Sequence, residues 1–265
     1  MNTKILFTIF LLKFTLISSA EQIQDNQSNP GRPQIHKKSK GQKTIIGDEL
    51  NWYSREDIDD RNQRKNSLAV GHLNLPARMA SCTAFFINEN TLMTNHHCVT
   101  RASDLKKSSV SFYDKDDNRV KYKCQKFVGS NFYLDYSLIQ CDGKPGAKHG
   151  YLSLDNRAPA SKSRTSMYVV QENCNYQDDP YCNIDRYISY GDIIEVRGNR
   201  VKHLADTLGG SSGSPIISTE THKVVALHNA GANANAEQVN GGVTMSYIIK
   251  DIKKKFSHIK IYTRK

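Results

Sequence analysis

After its first twenty residues the chain has no long apolar run, so nothing later in it is long enough to cross a bilayer as a helix. None of its six cysteines forms a Cys-x-x-Cys pair, which argues against a zinc site, and no metal or other cofactor is expected. A basic footprint is also missing. Residues 1–43 hold seven Lys/Arg against two Asp/Glu, out of 37 and 26 in the whole chain, so the net charge of +11 divides into +5 there and +6 over the rest. That leaves a mildly basic body, not a nucleic-acid-binding surface. Lysines gather at Lys37, Lys38, Lys40 and Lys43 and again at Lys253 to Lys255. Both groups read as solvated charge, with weak attraction to anionic surfaces as the alternative.

What is present begins with an export signal. Lys4 precedes an apolar run from Ile5 to Ile17, broken by Thr8, Lys13 and Thr15, and Ser18-Ser-Ala20 is a small-residue cleavage site. Residues 1–20 are therefore expected to be a signal peptide, and the protein to be secreted, to extracellular medium or periplasm. The six cysteines, all after this segment, fit an oxidising compartment. Fifteen pairings are open to them; the expected set is Cys82–Cys98, Cys124–Cys141 and Cys174–Cys182. Residues 21–43 are polar, with little to bury, and read as a disordered tail or a propeptide.

From about residue 44 the pattern is one of short apolar or alternating segments between turn residues. Candidate strands are Ser81–Ile87, Thr91–Asn95, Val110–Tyr113, Val120–Val128, Tyr136–Cys141, Ser166–Val170, Tyr187–Val196, Pro215–Ser218 and Lys223–His228. Asp142-Gly-Lys-Pro-Gly146 reads as a linker between two halves, about 44–143 and 147–245. A C-terminal helix is expected over about 246–257, with Ser246 as cap and Ile248, Ile249, Ile252 and Phe256 on one face. The expected architecture is all-β, two antiparallel β-rich units with a terminal α-helix.

Two strings carry chemistry. Thr94-Asn-His-His-Cys-Val99 supplies a candidate base, and Asp206-Thr-Leu-Gly-Gly-Ser-Ser-Gly-Ser-Pro215 a candidate nucleophile. A serine hydroxyl needs a neighbouring base to attack, and glycines beside it let backbone N–H groups face a substrate carbonyl. With Cys82-Thr-Ala-Phe-Phe-Ile87 and Asp135-Tyr-Ser-Leu-Ile139, these strings resemble the chymotrypsin-type (trypsin-like) serine proteases over roughly residues 45–255. Within that group they are most similar to the compact branch that includes the staphylococcal glutamyl endopeptidase. The resemblance implies two six-stranded Greek-key barrels, a catalytic set of His97, Asp135 and Ser212, and an oxyanion hole from the N–H groups of Gly210 and Ser212. It also implies a disulfide from Cys82 to Cys98. The order His, Asp, Ser is that of this family and not of subtilisins or α/β-hydrolases. His96 competes as base, but Cys98 and the family spacing favour His97. Ser211 and Ser214 compete as nucleophile, but the Gly-x-Ser-Gly frame selects Ser212. Asp114, Asp116 and Asp117 compete as the third member, but form a charged turn expected to face solvent.

The resemblance implies a protein or peptide substrate and a monomeric endopeptidase, with an esterase or a catalytically silent binding protein on the same fold as the other readings. It places Asp206, Thr207, His228, Gly231 and Gly242 around the primary specificity pocket. Asp206 stands where trypsin-like enzymes select Arg or Lys, which is the leading expectation. Thr207 and His228 stand where glutamyl endopeptidases bind Glu, and a small or apolar preference is a third option. Ser211 occupies the place of the aspartate that pairs with a freed N-terminus in trypsin-like zymogens. The domain is therefore expected to be either competent once folded or activated by removal of a masking segment.

Overall fold

The computed structural model describes residue 46 and residues 51–160, 164–173, 183–231 and 238–263. Two antiparallel sheets dominate. Their strands are β1 (Trp52–Ser54), β2 (Val70–Leu75), β3 (Ala80–Phe86), β4 (Thr91–Thr94), β5 (Ser109–Tyr113), β6 (Arg119–Lys123), β7 (Lys126–Asn131) and β8 (Tyr136–Gln140). They continue with β9 (Thr165–Asn173), β10 (Asp185–Arg197), β11 (Arg200–His203), β12 (Pro215–Ser218), β13 (Val224–Ala230) and β14 (Asn240–Thr244). Two short helices, α1 (Arg61–Ser67) and α2 (Pro145–His149), lie between strands, and α3 (Met245–Lys255) follows β14 directly.

The first sheet runs β6-β5-β2-β3-β4-β8-β7, an open seven-stranded half-barrel. The second runs β10-β11-β14-β13-β12-β9 and closes through a β9–β10 pairing, with β1 added to the outside of β10. The expected pair of antiparallel barrel units with a terminal helix is what forms, with one unit closed and the other half-closed. Side-chain alternation explains the exposed strands: in β6, Arg119, Lys121 and Lys123 face outward while Val120 and Tyr122 are half-buried. Charged side chains on such an edge also discourage pairing with another chain. Strands β3 and β4 are buried almost throughout, with Ala84, Phe85, Phe86, Leu92 and Met93 packed inside and Thr83, Thr91 and Thr94 buried among them.

Three apolar clusters hold the fold. Leu73, Leu75, Phe86, Val110, Phe112 and Ile139 fill the first unit. Met167, Val169, Ile193, Val201 and Ile216 fill the second. A third joins the two: Phe85, Met93 and Leu138 from the first sheet pack with Tyr168, Ile217 and Leu227 from the second and with Ile248, Ile249 and Ile252 of α3. Each such side chain contributes about 1.5–3 kcal/mol on burial, so the two sheets are held together by this shared core.

Several expectations shift. The Val120–Val128 segment is two strands, parted at Cys124, which is bonded to Cys141; β6 and β7 lie at opposite ends of the sheet order. The linker is tightly seated: Gly146 N–H donates to the Glu89 carbonyl at 2.8 Å, and a Cβ there would lie 2.3 Å from the Asn88 carbonyl oxygen. β1, inside the expected first half, pairs with β10 of the second sheet. The terminal helix starts at Met245, not Ser246, because the chain passes straight from β14 into it; Thr244 is the N-cap residue and makes no side-chain cap bond. Ser246 is buried within the first turn. The Cys82–Cys98 and Cys124–Cys141 bonds are present. The expected Cys174–Cys182 bond lies outside the described residues.

Candidate active site

β4 ends at Thr94, and the next four residues turn across the mouth of the first sheet. The Cys82–Cys98 disulfide ties the end of this turn to β3. The β7–β8 hairpin brings Asp135 to meet it. His97 Nδ1 faces Asp135 Oδ2 at 2.9 Å, and the His97 backbone N–H donates to Asp135 Oδ1 at 3.0 Å. Both carboxylate oxygens are thus engaged by one residue, which sets the imidazole's plane as well as its distance. Asp135 itself takes a left-handed φ of 44°, held by its N–H donating to the Phe132 carbonyl at 3.2 Å and by Asn95 Nδ2 donating to its carbonyl at 3.0 Å. Burial would raise the Asp135 pKa, but the His97 contacts and the bond from Asn229 outweigh it and hold the carboxyl below its usual range.

The competing residues are engaged elsewhere. His96 Nδ1 contacts Ser130 Oγ at 3.0 Å, and its ring meets Phe132 edge-on. The Asp114 carboxylate caps its own turn, accepting from the N–H groups of Asp116 and Asn118 at 3.0 Å each. Asp117 pairs with Arg55.

The turn that carries the candidate nucleophile is built from within. Of Ser211, Ser212 and Ser214, only Ser212 is not buried. Ser211 Oγ accepts from Asn173 Nδ2 at 2.7 Å and from Leu208 N–H at 3.0 Å, and donates to Gln171 Oε1 at 2.5 Å. Gly210 has φ 100° and Gly213 φ 89°, the left-handed region that favours glycine. At Gly213 a Cβ would also lie 2.2 Å from the Thr83 carbonyl oxygen. Thr83 of β3 holds the turn from the other sheet: its N–H donates to the Ser212 carbonyl and its hydroxyl to the Gly210 carbonyl, both at 2.9 Å. The Ser212 carbonyl oxygen also lies 4.0 Å from Cys98 Sγ, so the serine turn sits beside the histidine turn. The N–H groups of Gly210 and Ser212 find no acceptor among the described residues.

Around the expected pocket the residues divide. Asp206 is buried, its Oδ1 accepting from Ile46 N–H and its Oδ2 from Asn51 N–H at 2.6 Å each. Burial raises its pKa against those two bonds. It anchors the segment that enters β1. Thr207 is fully buried and its hydroxyl has no partner among the described residues. His228 Nδ1 contacts His203 Nε2 at 3.1 Å, and both rings are buried. Burial, then the nearby His97, pushes His228 down to about 3, and burial also lowers His203. Gly231 is exposed at the end of β13. At Gly242 a side chain would meet Ile216, the Leu227 carbonyl and Val201, so its missing Cβ makes room inside the second unit.

Residues that carry no sequence signal complete the site. Asn229, next to His228, donates Nδ2–H to Asp135 Oδ2 at 3.0 Å. Gln171 spans two loops: its Nε2 donates to the Asp206 carbonyl and to Ser189 Oγ at 2.9 Å, while its Oε1 receives Ser211 and Asn173. No cluster of three or more His, Cys, Asp or Glu suited to a metal occurs among the described residues.

This geometry has parallels. A solved structure described as Glu endopeptidase in complex with MPD superposes with a TM-score of 0.64 at 21% identity, covering 81% of this chain and 100% of that one. Mouse neuropsin, a serine protease, gives 0.56 at 15% identity over 72% of this chain and 96% of its own. A scabies mite inactivated protease paralogue gives 0.56 at 13% identity over 74% and 94%. These show a shared fold. Among curated proteins, secreted RxLR effector protein 73 of Plasmopara viticola is 26% identical over 171 residues, or 58% of this chain and 42% of that protein, so the chain spans under half of that relative's length. The trypsin-like peptidase domain family matches residues 82–227, more than half of the chain, and the chain belongs to that family.

Proposed function

We infer that the protein is a secreted serine endopeptidase working through Ser212, His97 and Asp135. The observation that carries this reading is the double engagement of Asp135 by His97, at Nδ1 and at the backbone N–H. It leaves the other imidazole nitrogen to take the Ser212 proton. Ser212 Oγ then attacks the scissile carbonyl, and the oxyanion is met by the N–H groups of Gly210 and Ser212, worth about 3–4 kcal/mol per donor. His97 returns the proton to the leaving amine, an acyl-enzyme forms, and water activated by the same histidine releases it. Asp135 stays ionised throughout, consistent with the direction of its pKa. The turn is organised by Gln171, Asn173 and Thr83, which supports competence without an N-terminal ammonium. The two disulfides support export to an oxidising compartment.

For the side chain on the acyl side of the cleaved bond, the site supports an acidic group over Arg or Lys. Asp206, the residue that would attract a cation, spends both carboxylate oxygens on backbone N–H groups. Thr207 keeps a buried hydroxyl without a partner among the described residues, a group that a ligand's oxygen would satisfy. His228, buried and in contact with His203 through Nδ1, is the second polar side chain that the resemblance puts at this pocket.

A fluorophosphonate probe tests the nucleophile: wild type is labelled and Ser212→Ala is not. An unlabelled, folded wild type leaves the silent binding-protein reading in place. Cleavage of a mixed peptide library tests the pocket, with cuts after Glu expected and cuts after Arg or Lys overturning that preference.

A further inference from the structure

The hairpin that delivers Asp135 is fastened by the far end of the chain. In the β7–β8 ladder, Asn131 and Tyr136 form the last cross-strand pair, and residues 132–135 are the loop between them. Asp251 of α3 bonds both members of that pair. Its Oδ2 accepts from Tyr136 Oη at 2.6 Å and from Asn131 Nδ2 at 2.8 Å, while Lys255 Nζ lies 3.0 Å from Oδ1. Asn131 passes the restraint on: its Oδ1 accepts from the N–H groups of Tyr133 and Leu134 at 3.0 and 3.1 Å, immediately before Asp135. Phe256, just past the helix, lies on Gly129 so closely that a Cβ there would sit 2.3 Å from its ring. Asp135 occupies a left-handed conformation that a non-glycine residue keeps only when its surroundings enforce it.

We propose that Asp251 is a positioning residue for catalysis, clamping the Asn131–Tyr136 pair from the C-terminal helix so that Asp135 stays aligned with His97. The inference rests on the serine-peptidase reading above. Its chemistry is simple: one carboxylate oxygen gathers the two donors that close the hairpin's neck, and charge-assisted bonds of this kind are the short, strong ones. Losing it frees the loop, and a displacement of about 1 Å at a group that orients the base lowers the rate by up to about 100-fold without touching the bound ligand.

The test is the kinetics of inactivation by a fluorophosphonate, which needs no known substrate. Asp251→Ala is expected to lower kinact about tenfold with KI within about twofold of wild type. In an Asp135→Ala background the same change is expected to cost nothing further, since Asp251 acts through Asp135. Lys255→Ala, which removes the partner of the other oxygen, keeps wild-type kinact. Two results would overturn the proposal: a folded Asp251→Ala protein with wild-type kinact, or an equal further loss in the Asp135→Ala background, which marks a general structural effect. Asp251→Asn and Tyr136→Phe carry the same test if Asp251→Ala does not fold. Labelling of Ser212→Ala at the wild-type rate sinks the serine reading itself, a different outcome from either.

Discussion

Asn229 Nδ2 donates to Asp135 Oδ2 at 3.0 Å, the same oxygen that faces His97 Nδ1 at 2.9 Å. The second sheet, through Asn229 of β13, therefore helps to hold the carboxylate that the β7–β8 hairpin of the first sheet supplies. A hydrogen bond to a charged group contributes about 1.5–3 kcal/mol, so Asn229→Ala is expected to slow fluorophosphonate labelling by about tenfold or more. Asn229→Asp should be worse, since it sets two carboxylates side by side. Labelling of Asn229→Ala at the wild-type rate would show that His97 alone fixes Asp135.

Asp206→Ala separates anchoring from specificity. Its carboxylate oxygens receive Ile46 N–H and Asn51 N–H, and its carbonyl receives Gln171, Ser189 and Trp52. Truncating the side chain leaves two backbone donors without acceptors, at a cost of about 1–3 kcal/mol each where they are buried. Melting temperature should fall while the peptide-library profile keeps its order of preference. A profile that instead loses cuts after Arg or Lys would return Asp206 to the pocket floor.

How far these features could be read from the residues depended on how local their causes are. The strings around His97, Asp135 and Ser212 pointed to the proposed catalytic set because each carries particular neighbours: a cysteine to pin the turn, an apolar strand behind, glycines at left-handed positions. The buried strands β3, β4, β12 and β13 announced themselves through short, mostly apolar segments between turn residues. Other elements did not. α1 reads Arg-Asn-Gln-Arg-Lys-Asn-Ser, with hardly an apolar stripe; its start is set by Asp60, whose side chain accepts from Gln63 N–H at 2.8 Å. β11 and β14 are short and polar or glycine-bearing, and exist as strands because the second sheet closes around them. Asn229, Gln171, Asn173 and Thr83 lie 94, 40, 38 and 127 residues from the partners that give them meaning. No spacing rule brings such pairs together. Asp206 shows the same limit: its spacing to Ser212 suggested a pocket role, while the backbone donors on its carboxylate lie 155 and 160 residues upstream.

The Ser211 network yields a sharper test of activation. Ser211 Oγ is bonded by Asn173, Leu208 and Gln171, all internal. Ser211→Ala should cut labelling about tenfold by loosening the turn that presents Gly210 and Ser212, in line with the cost of impairing an oxyanion donor. Ser211→Asp should be more damaging, because it places a buried carboxylate against Gln171 Oε1, an acceptor. Forms beginning at Glu21 and near Thr44 are expected to be labelled equally. If only the shorter form reacts, residues 21–43 mask the site.

Acid stability follows from the buried histidines, and the sign is fixed by their direction. Burial, then Arg119 and Lys121, pushes His72 down to about 4, and burial pushes His228 down to about 3. An unfolded histidine titrates near 6.5. Between these values the unfolded chain binds protons that the folded chain refuses, and stability rises with pH wherever that holds. The folded state is therefore at full advantage above about pH 6.5 and loses it as pH falls toward 4 for His72 and toward 3 for His228. Asp135 and Asp104, held below the usual carboxylate range, add their loss only below about pH 4. The raised carboxyls of Asp206 and Glu172 act in the opposite sense, gaining as pH falls. A difference between wild type and one variant isolates a single histidine from these. His72 Nε2 is buried without a partner among the described residues, so an apolar ring is a fair replacement. His72→Phe should keep the melting temperature at pH 7 and lose less of it between pH 6.5 and 4.5. An acid slope identical to wild type would mean that His72 takes up its proton in the folded state after all.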